Sequence, residues 1–132
     1  MAKISPKLTV TANANTATNN PGPSTMALSL TAQPTNGTSD CITLKTGVMD
    51  LAQAHTQFYA GATDGPAFVY VKNLSDVAMY IGGNADMGTA NRILNLAAGE
   101  FAWMPMSDDQ DLYAEAASGS NKKLEYWIFD KA

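Results

Sequence analysis

Residues 122–132, KKLEYWIFDKA, place large apolar side chains at consecutive positions of a strand-like pattern. Because successive side chains of a β-strand point to opposite faces, Trp127 and Phe129 share one face. The opposite face holds the other apolar side chains, Leu124, Tyr126 and Ile128. A surface sheet of a small antiparallel protein normally has one apolar and one polar face. An aromatic ring buries roughly 150–250 Å² when it is covered, so we predict that something covers the face with Trp127 and Phe129.

Upstream of this stretch, short apolar runs alternate with turn signals. The run at 67–73, AFVYVKN, is apolar on both faces, which predicts a strand inside a sheet rather than at its edge. Short strands at this regular spacing predict an all-β antiparallel fold, either a sandwich or a barrel. The other runs with strand character lie at 25–31, 41–45, 77–83, 92–96, 100–106 and 112–118.

Two turn signals predict which strands are neighbours. Asn36-Gly37 is a strong hairpin pair, so we expect the strand at 25–31 to pair with the strand at 41–45. Gly99 is expected to take a positive φ in a short hairpin between the strands on either side of it.

Two segments depart from the regular pattern. Residues 11–24, TANANTATNNPGPS, are poor in charged and large apolar residues, which favours an extended course over a surface. We therefore divide the chain into an extended N-terminal arm at 1–24, with a short strand near its start, and a β-sandwich domain at 25–132. The segment 47–61 fits either a short helix or a strand, because its apolar spacing is nearly helical although TQFY alone is strand-like.

Composition and charge exclude several classes of partner. The formal net charge is −4, and Arg92 is the single arginine, so nucleic acid is not an expected partner. No run approaches the roughly 18 apolar residues that cross a bilayer, so we expect no membrane partner and a soluble protein made in the cytoplasm. Cys41 is the single cysteine, which excludes an internal disulfide.

The residues that are able to take part in catalysis or metal binding do not form the pattern of an enzyme active site. His55 is the single histidine and is interpreted as a polar residue tied to local backbone, and Cys41 has no marked base partner. A few loop acids offer oxygen atoms to calcium, but they lack the spacing of an EF-hand loop and are interpreted as solvated turn residues. These acids are Asp86, Asp108, Asp109 and Asp111. We predict no catalytic residue, no cofactor, no bound metal and no small-molecule substrate.

The aromatic residues admit two interpretations. Exposed rings beside planar polar groups would form a sugar-binding platform, whereas rings within alternating strands fill the core, and core filling is favoured for most of them. The rings in question are Tyr80, Trp103, Tyr113, Tyr126 and Trp127.

The run at 103–106, WMPM, favours a contact surface. Pro105 cannot donate to a sheet ladder and therefore belongs at an edge or a strand end, and methionines adapt to varied partners. Together with the closing strand, this run gives the predicted interface residues. They are Trp127, Phe129, Trp103, Met104, Pro105 and Met106.

Three stretches in the second half of the chain resemble the small virion structural proteins of tailed bacteriophages. They are VYVKNLSDVAMYIGG (69–83), LNLAAGEFAWMP (94–105) and DLYAEAASGSNKKLEYWIFD (111–130). That family has a valine-rich strand ending in Lys-Asn, an aliphatic strand ending in Ile-Gly, a Leu-x-x-Gly-Glu hairpin and a closing Leu-Glu-Tyr strand. The resemblance covers residues 67–130 and leaves the first 40 residues unmatched.

The resemblance implies a jelly-roll-like β-sandwich that serves as a building block of a virion. The expected function is that of a capsid decoration (cement) protein on the exterior of the shell, because an acidic protein is poorly suited to line packaged DNA. The expected partners are the major capsid protein and copies of the chain itself in a homotrimer. Two alternatives stay open: a tail, neck or fibre component, and a carbohydrate-binding module for host attachment.

Overall fold

The computed structural model of this protein describes residues 2–3, 7–12, 26–31, 40–51, 55–119 and 121–131. These ranges are mostly strand, with one four-residue helix, so the predicted all-β class is confirmed. The strands are β1 (Ala2–Lys3), β2 (Lys7–Ala12), β3 (Met26–Thr31), β4 (Asp40–Asp50), β5 (Thr56–Ala60), β6 (Ala67–Asn73), β7 (Met79–Gly82), β8 (Arg92–Leu96), β9 (Phe101–Met106), β10 (Asp111–Ala116) and β11 (Lys123–Lys131). The helix is α1 (Gly61–Asp64), and a 3-10 turn spans Thr89–Asn91. No helix of the described ranges is long and apolar enough to cross a bilayer.

Two antiparallel sheets form the body of the fold. The five-stranded sheet has the order β1-β4-β11-β6-β9, and the four-stranded sheet has the order β5-β10-β7-β8. The pairs β4 with β11, β5 with β10, β6 with β9 and β7 with β8 are nested, as in one long hairpin that has been rolled up. This strand order is that of a jelly roll, so the predicted jelly-roll-like sandwich is confirmed.

The inner faces of the two sheets pack against each other as a single core. Along β6 every second side chain is buried, and Val69 and Val71 are fully enclosed. Ile128 of β11 lies in the same cluster as Ile81 and Leu112 of the four-stranded sheet. The alternation of apolar side chains along the strands therefore directs one face of each sheet inward, as expected of a sandwich.

A buried asparagine holds the chain where it crosses between the sheets. The side-chain amide of Asn73 donates to the carbonyls of Val77, at 2.8 Å, and Leu96, at 2.9 Å. Its side-chain oxygen accepts from the backbone N–H of Ser75 at 2.8 Å, and the residue is fully buried. One side chain thus satisfies three backbone groups, which fixes the turn from β6 toward β7 against the end of β8.

Two predicted strand pairings are wrong. Gly99 has the predicted positive φ, +81°, but β8 and β9 belong to different sheets, so the chain crosses the sandwich there instead of forming a hairpin. Asn36-Gly37 lies outside the described residues, and β3 pairs with β2 whereas β4 pairs with β1 and β11. Local patterns predict strands better than they predict partners, because in a jelly roll the partners are distant along the chain.

Most of the predicted arm at 1–24 lies outside the described residues. Within it, β2 pairs with β3 in register from Lys7 opposite Thr31 to Ala12 opposite Met26. The division of the chain at residue 24 stays a prediction. The segment 47–61 runs as strand in β4 and β5 and then enters α1, with residues 52–54 outside the description.

Candidate interaction surface

The outer face of the five-stranded sheet carries an array of aromatic residues. Register pairs on neighbouring antiparallel strands lie on the same face, so β11, β6 and β9 contribute three rows. The middle row is Trp127, Tyr70 and Trp103. One flanking row is Phe129, Phe68 and Pro105. The other flanking row is Glu125, Lys72 and Phe101. We call the surface formed by these nine residues the aromatic face.

The rings of this face contact one another. The centroids of Phe68 and Trp103 are 5.7 Å apart with planes inclined by 20°, and Trp103 lies 5.7 Å from Phe129. Phe129 continues to Trp127 at 6.2 Å. These separations are typical of favourable aromatic pairs, so four rings form one continuous cluster on the outside of the sheet.

Parts of the aromatic face are open to solvent, although Phe68, Trp103 and Phe129 are half-buried. Trp127 keeps 38% of its surface exposed, and Phe101 keeps 60%. Val48 of β4, which pairs in register with Glu125, is 59% exposed and extends the apolar surface toward β4. Within the described ranges, Trp127 is thus left partly uncovered, whereas Phe129, which packs between Trp103 and Trp127, is half-buried.

The structure brings together four of the six predicted interface residues. Trp127, Phe129, Trp103 and Pro105 lie on the aromatic face, and β9 is an edge strand of the five-stranded sheet, as Pro105 requires. The remaining two, Met104 and Met106, alternate to the inner face and pack against the core.

The sequence prediction missed the other three rings of this face. They are Phe68, Tyr70 and Phe101. Their signal lies in the alternation of β6 and β9, but the two apolar faces of β6 predict only a strand inside a sheet, and β6 does lie between β11 and β9.

The five rings considered for a sugar platform are divided among three places. Trp103 and Trp127 are on the aromatic face, whereas Tyr126 is on the inner side, 6.0 Å from the ring of Phe58. Tyr80 and Tyr113 belong to the four-stranded sheet, where His55 makes an edge contact with Tyr113 at 6.3 Å.

A shallow, open depression of about 290 Å³ lies in the middle of the aromatic face. Glu125 is held beside the rings, because its Oε1 accepts a hydrogen bond of 2.9 Å from the indole Nε1–H of Trp127. The lining residues are Tyr70, Trp103, Glu125, Trp127 and Phe129.

The surroundings of Tyr70 in this depression change the pKa of its phenol. Burial, and secondarily the negative charge of Glu125, raises the pKa of the Tyr70 phenol. Because the pKa is higher in the folded than in the unfolded state, the contribution of the neutral phenol to stability is present below about pH 10 and is lost as the pH rises through the folded value.

We expect Glu125→Gln to lower the pKa of Tyr70 only part of the way toward its ordinary value, because the larger cause, burial, remains. An NMR titration of the Tyr70 ring signals measures this shift, with Glu115→Gln on the other sheet as the control. An unchanged Tyr70 pKa in Glu125→Gln would show that the carboxylate does not act on the phenol.

The outer face of the four-stranded sheet carries a cluster of polar groups, although Ile93 of β8 is also exposed there. The Arg92 guanidinium carbon lies 3.7 Å from the centroid of the Tyr80 ring, and its Nη2 lies 3.4 Å from a carboxylate oxygen of Glu115. Asn95 is opposite Tyr80 on β8. The two outer faces of the sandwich therefore differ in chemistry.

Asp86 and Asp109 bond within their own loops, whereas Asp111, the first residue of β10, bonds to the start of α1. Asp111 accepts from the backbone N–H of Gly61, and Asp86 accepts from that of Gly88, both at 3.1 Å. The Ser107 hydroxyl, which donates to Asp109, holds the pKa of that carboxyl below its ordinary value. Within the described ranges, no group of three or more metal-ligating side chains comes together. Cys41 lies in β4 opposite Ala2.

Comparisons of the chain with protein-family models, curated proteins and solved structures gave no match.

Proposed function

We propose that this protein is a non-enzymatic virion structural protein that decorates the exterior of a capsid and docks through its aromatic face. The observation that carries the proposal is the aromatic face itself, which has six rings and a proline on one side of the sandwich. Jelly rolls occur in viral capsid proteins and in lectins, so the fold is compatible with this function but does not select it.

The composition of the aromatic face is that of an interface centre. Aromatic residues are enriched, and charged residues depleted, in the buried centres of protein interfaces, while rims are polar. Here the two charged residues, Glu125 and Lys72, lie together in one flanking row beside Phe101, whereas the other flanking row, with Phe129, Phe68 and Pro105, carries no charge. Tryptophan is over-represented among the residues that dominate binding energy, and both tryptophans of the chain lie on this face.

The charge of the protein supports an exterior position. A formal net charge of −4 and a single arginine are poorly suited to contact with packaged nucleic acid. Copies that bind the assembled shell, but not its free subunits, stabilise the shell by mass action. The expected partners are the major capsid protein and copies of this chain, with the homotrimer as the predicted oligomer.

Particles stripped of the protein test this proposal. We expect them to open at a lower temperature than complete particles, and addition of the purified chain should restore the original temperature. Nuclease access to the packaged genome during heating measures the opening. Equal opening temperatures with and without the protein would contradict a decoration role and would favour a tail, neck or fibre component.

A carbohydrate-binding module is the second candidate, and the open depression with its rings and one carboxylate favours it. Sugar rings stack their apolar faces on aromatic side chains and donate hydroxyl hydrogens to carboxylates. A glycan array tests this function. Two results together would support the second candidate over the first. The native chain would bind a glycan saturably and Trp103→Ala would not, and purified particles would not contain the protein.

A further inference from the structure

The depression on the aromatic face has the electrostatic character of a cation site. Four aromatic rings and one carboxylate line it, and Glu125 is the single ionised group among the lining residues. The face of an aromatic ring is negative, so the rings and the carboxylate attract the same sign of charge.

Glu125 forms no ion pair with any residue of the described ranges. The ion pairs of the described residues join Lys45 with Asp64, Arg92 with Glu115, and Lys123 with Asp50. Lys72 is opposite Glu125 across the β6 and β11 ladder but does not form an ion pair with it in this structure. The indole of Trp127 holds Oε1, which leaves Oε2 available to accept hydrogen bonds from a partner.

The other sheet contains an intramolecular precedent. Glu115 and Tyr80 are register neighbours, and together they bind the chain's own Arg92 by a carboxylate contact of 3.4 Å and a ring contact of 3.7 Å. In this fold a ring and a carboxylate on adjacent strands thus contact a guanidinium together, and the Nε–H of Arg92 also donates to the carbonyl of Met87 at 3.1 Å. The depression combines four rings with Glu125 and holds no side-chain cation from the described residues.

We propose that the depression binds the guanidinium of an arginine that the partner protein presents. A guanidinium suits the depression better than an ammonium, because it is planar, weakly hydrated and able to stack on rings while it donates two hydrogen bonds to a carboxylate. The depression is open, so the end of a partner side chain can reach its rings and Glu125. That the arginine belongs to a capsid subunit rests on the proposed function, whereas guanidinium binding itself does not.

Tryptophan fluorescence measures this binding directly, because the chain has two tryptophans and both line the depression. We expect N-acetyl-arginine amide to change the emission of the full chain saturably, with a dissociation constant on the order of millimolar. N-acetyl-citrulline amide has nearly the same shape without the charge and should give no saturable change. Equal responses to the two compounds, or no response to arginine, would overturn the proposal.

Two variants locate the site. Glu125→Gln preserves the shape of the side chain and is expected to weaken arginine binding by about tenfold, whereas Glu115→Gln should leave it unchanged. N-acetyl-lysine amide should bind more weakly than the arginine compound. Undiminished binding in Glu125→Gln, or a lysine affinity equal to that of arginine, would overturn the assignment.

Particle binding separates this inference from the proposed function. If purified particles take up the protein but the arginine compound gives no response, the guanidinium site fails and the decoration role stands. If the arginine compound binds but particles neither contain nor take up the protein, the decoration role and the capsid partner fail. A saturable response to a neutral saccharide, without one to arginine, would assign the depression to glycans and contradict the proposal.

Discussion

Replacement of both Trp127 and Phe129 by serine is expected to release the protein from the particle while the sandwich stays folded. Both side chains lie on the outer face of β11, so their loss leaves the core intact, but it removes two rings from the continuous cluster. Truncation of central aromatic residues of an interface weakens binding by about 2 kcal/mol or more each, which predicts a loss of affinity of roughly a thousandfold. Sedimentation of the variant with stripped particles measures the loss.

The matched control removes an exposed apolar side chain from the other sheet. Ile93 of β8 is 66% exposed, so Ile93→Ser removes an exposed apolar side chain without touching the aromatic face. We expect this variant to bind particles as the native chain does. If the double variant still cosediments with particles and keeps the oligomeric state of the native protein, the assignment of the aromatic face as an interface is wrong.

The substitution Asn73→Ala is expected to produce the largest loss of stability. It removes the amide that satisfies two carbonyls and the oxygen that accepts from Ser75, all at a fully buried position. Each buried backbone group left without a partner costs about 1–3 kcal/mol, so we expect the free energy of unfolding to fall by roughly 3–5 kcal/mol. That is a large part of the 5–15 kcal/mol typical of a domain. Chemical denaturation followed by circular dichroism measures it.

The control for this prediction is Asn95→Ala, an identical change at an exposed position of β8. We expect its effect to stay within about 0.5 kcal/mol. An Asn73→Ala protein as stable as the control would mean that water or a local shift replaces the buried amide, and that the crossing between the sheets does not depend on this side chain.

The strands of this fold could be predicted from the sequence because their signal is local. Leu124, Trp127 and Ile128 occupy the faces that alternation assigns to them. The sheet order could not be predicted in the same way, as the two wrong hairpins show. The chain crosses at Gly99 from β8 to β9, and nothing in the turn residues distinguishes a crossing from a hairpin, since both need a positive φ there.

The sequence could predict which face of β11 belongs to the candidate site, but not which residues of the neighbouring strands share that face. The closing strand predicts a cover for Trp127 and Phe129, because both of its faces carry large apolar side chains. Phe68 and Tyr70 could have been assigned to the same surface only with the register between β6 and β11, which is set by pairs far apart along the chain. The depression with Glu125 depends on that register too.

The most direct test of the central claim is the number of copies of this chain per particle, measured by quantitative mass spectrometry of purified virions against the major capsid protein. The decoration role predicts a ratio near one to one, or a simple fraction of it, because the protein would cover equivalent sites over the whole shell. A handful of copies per particle, or none, would contradict it.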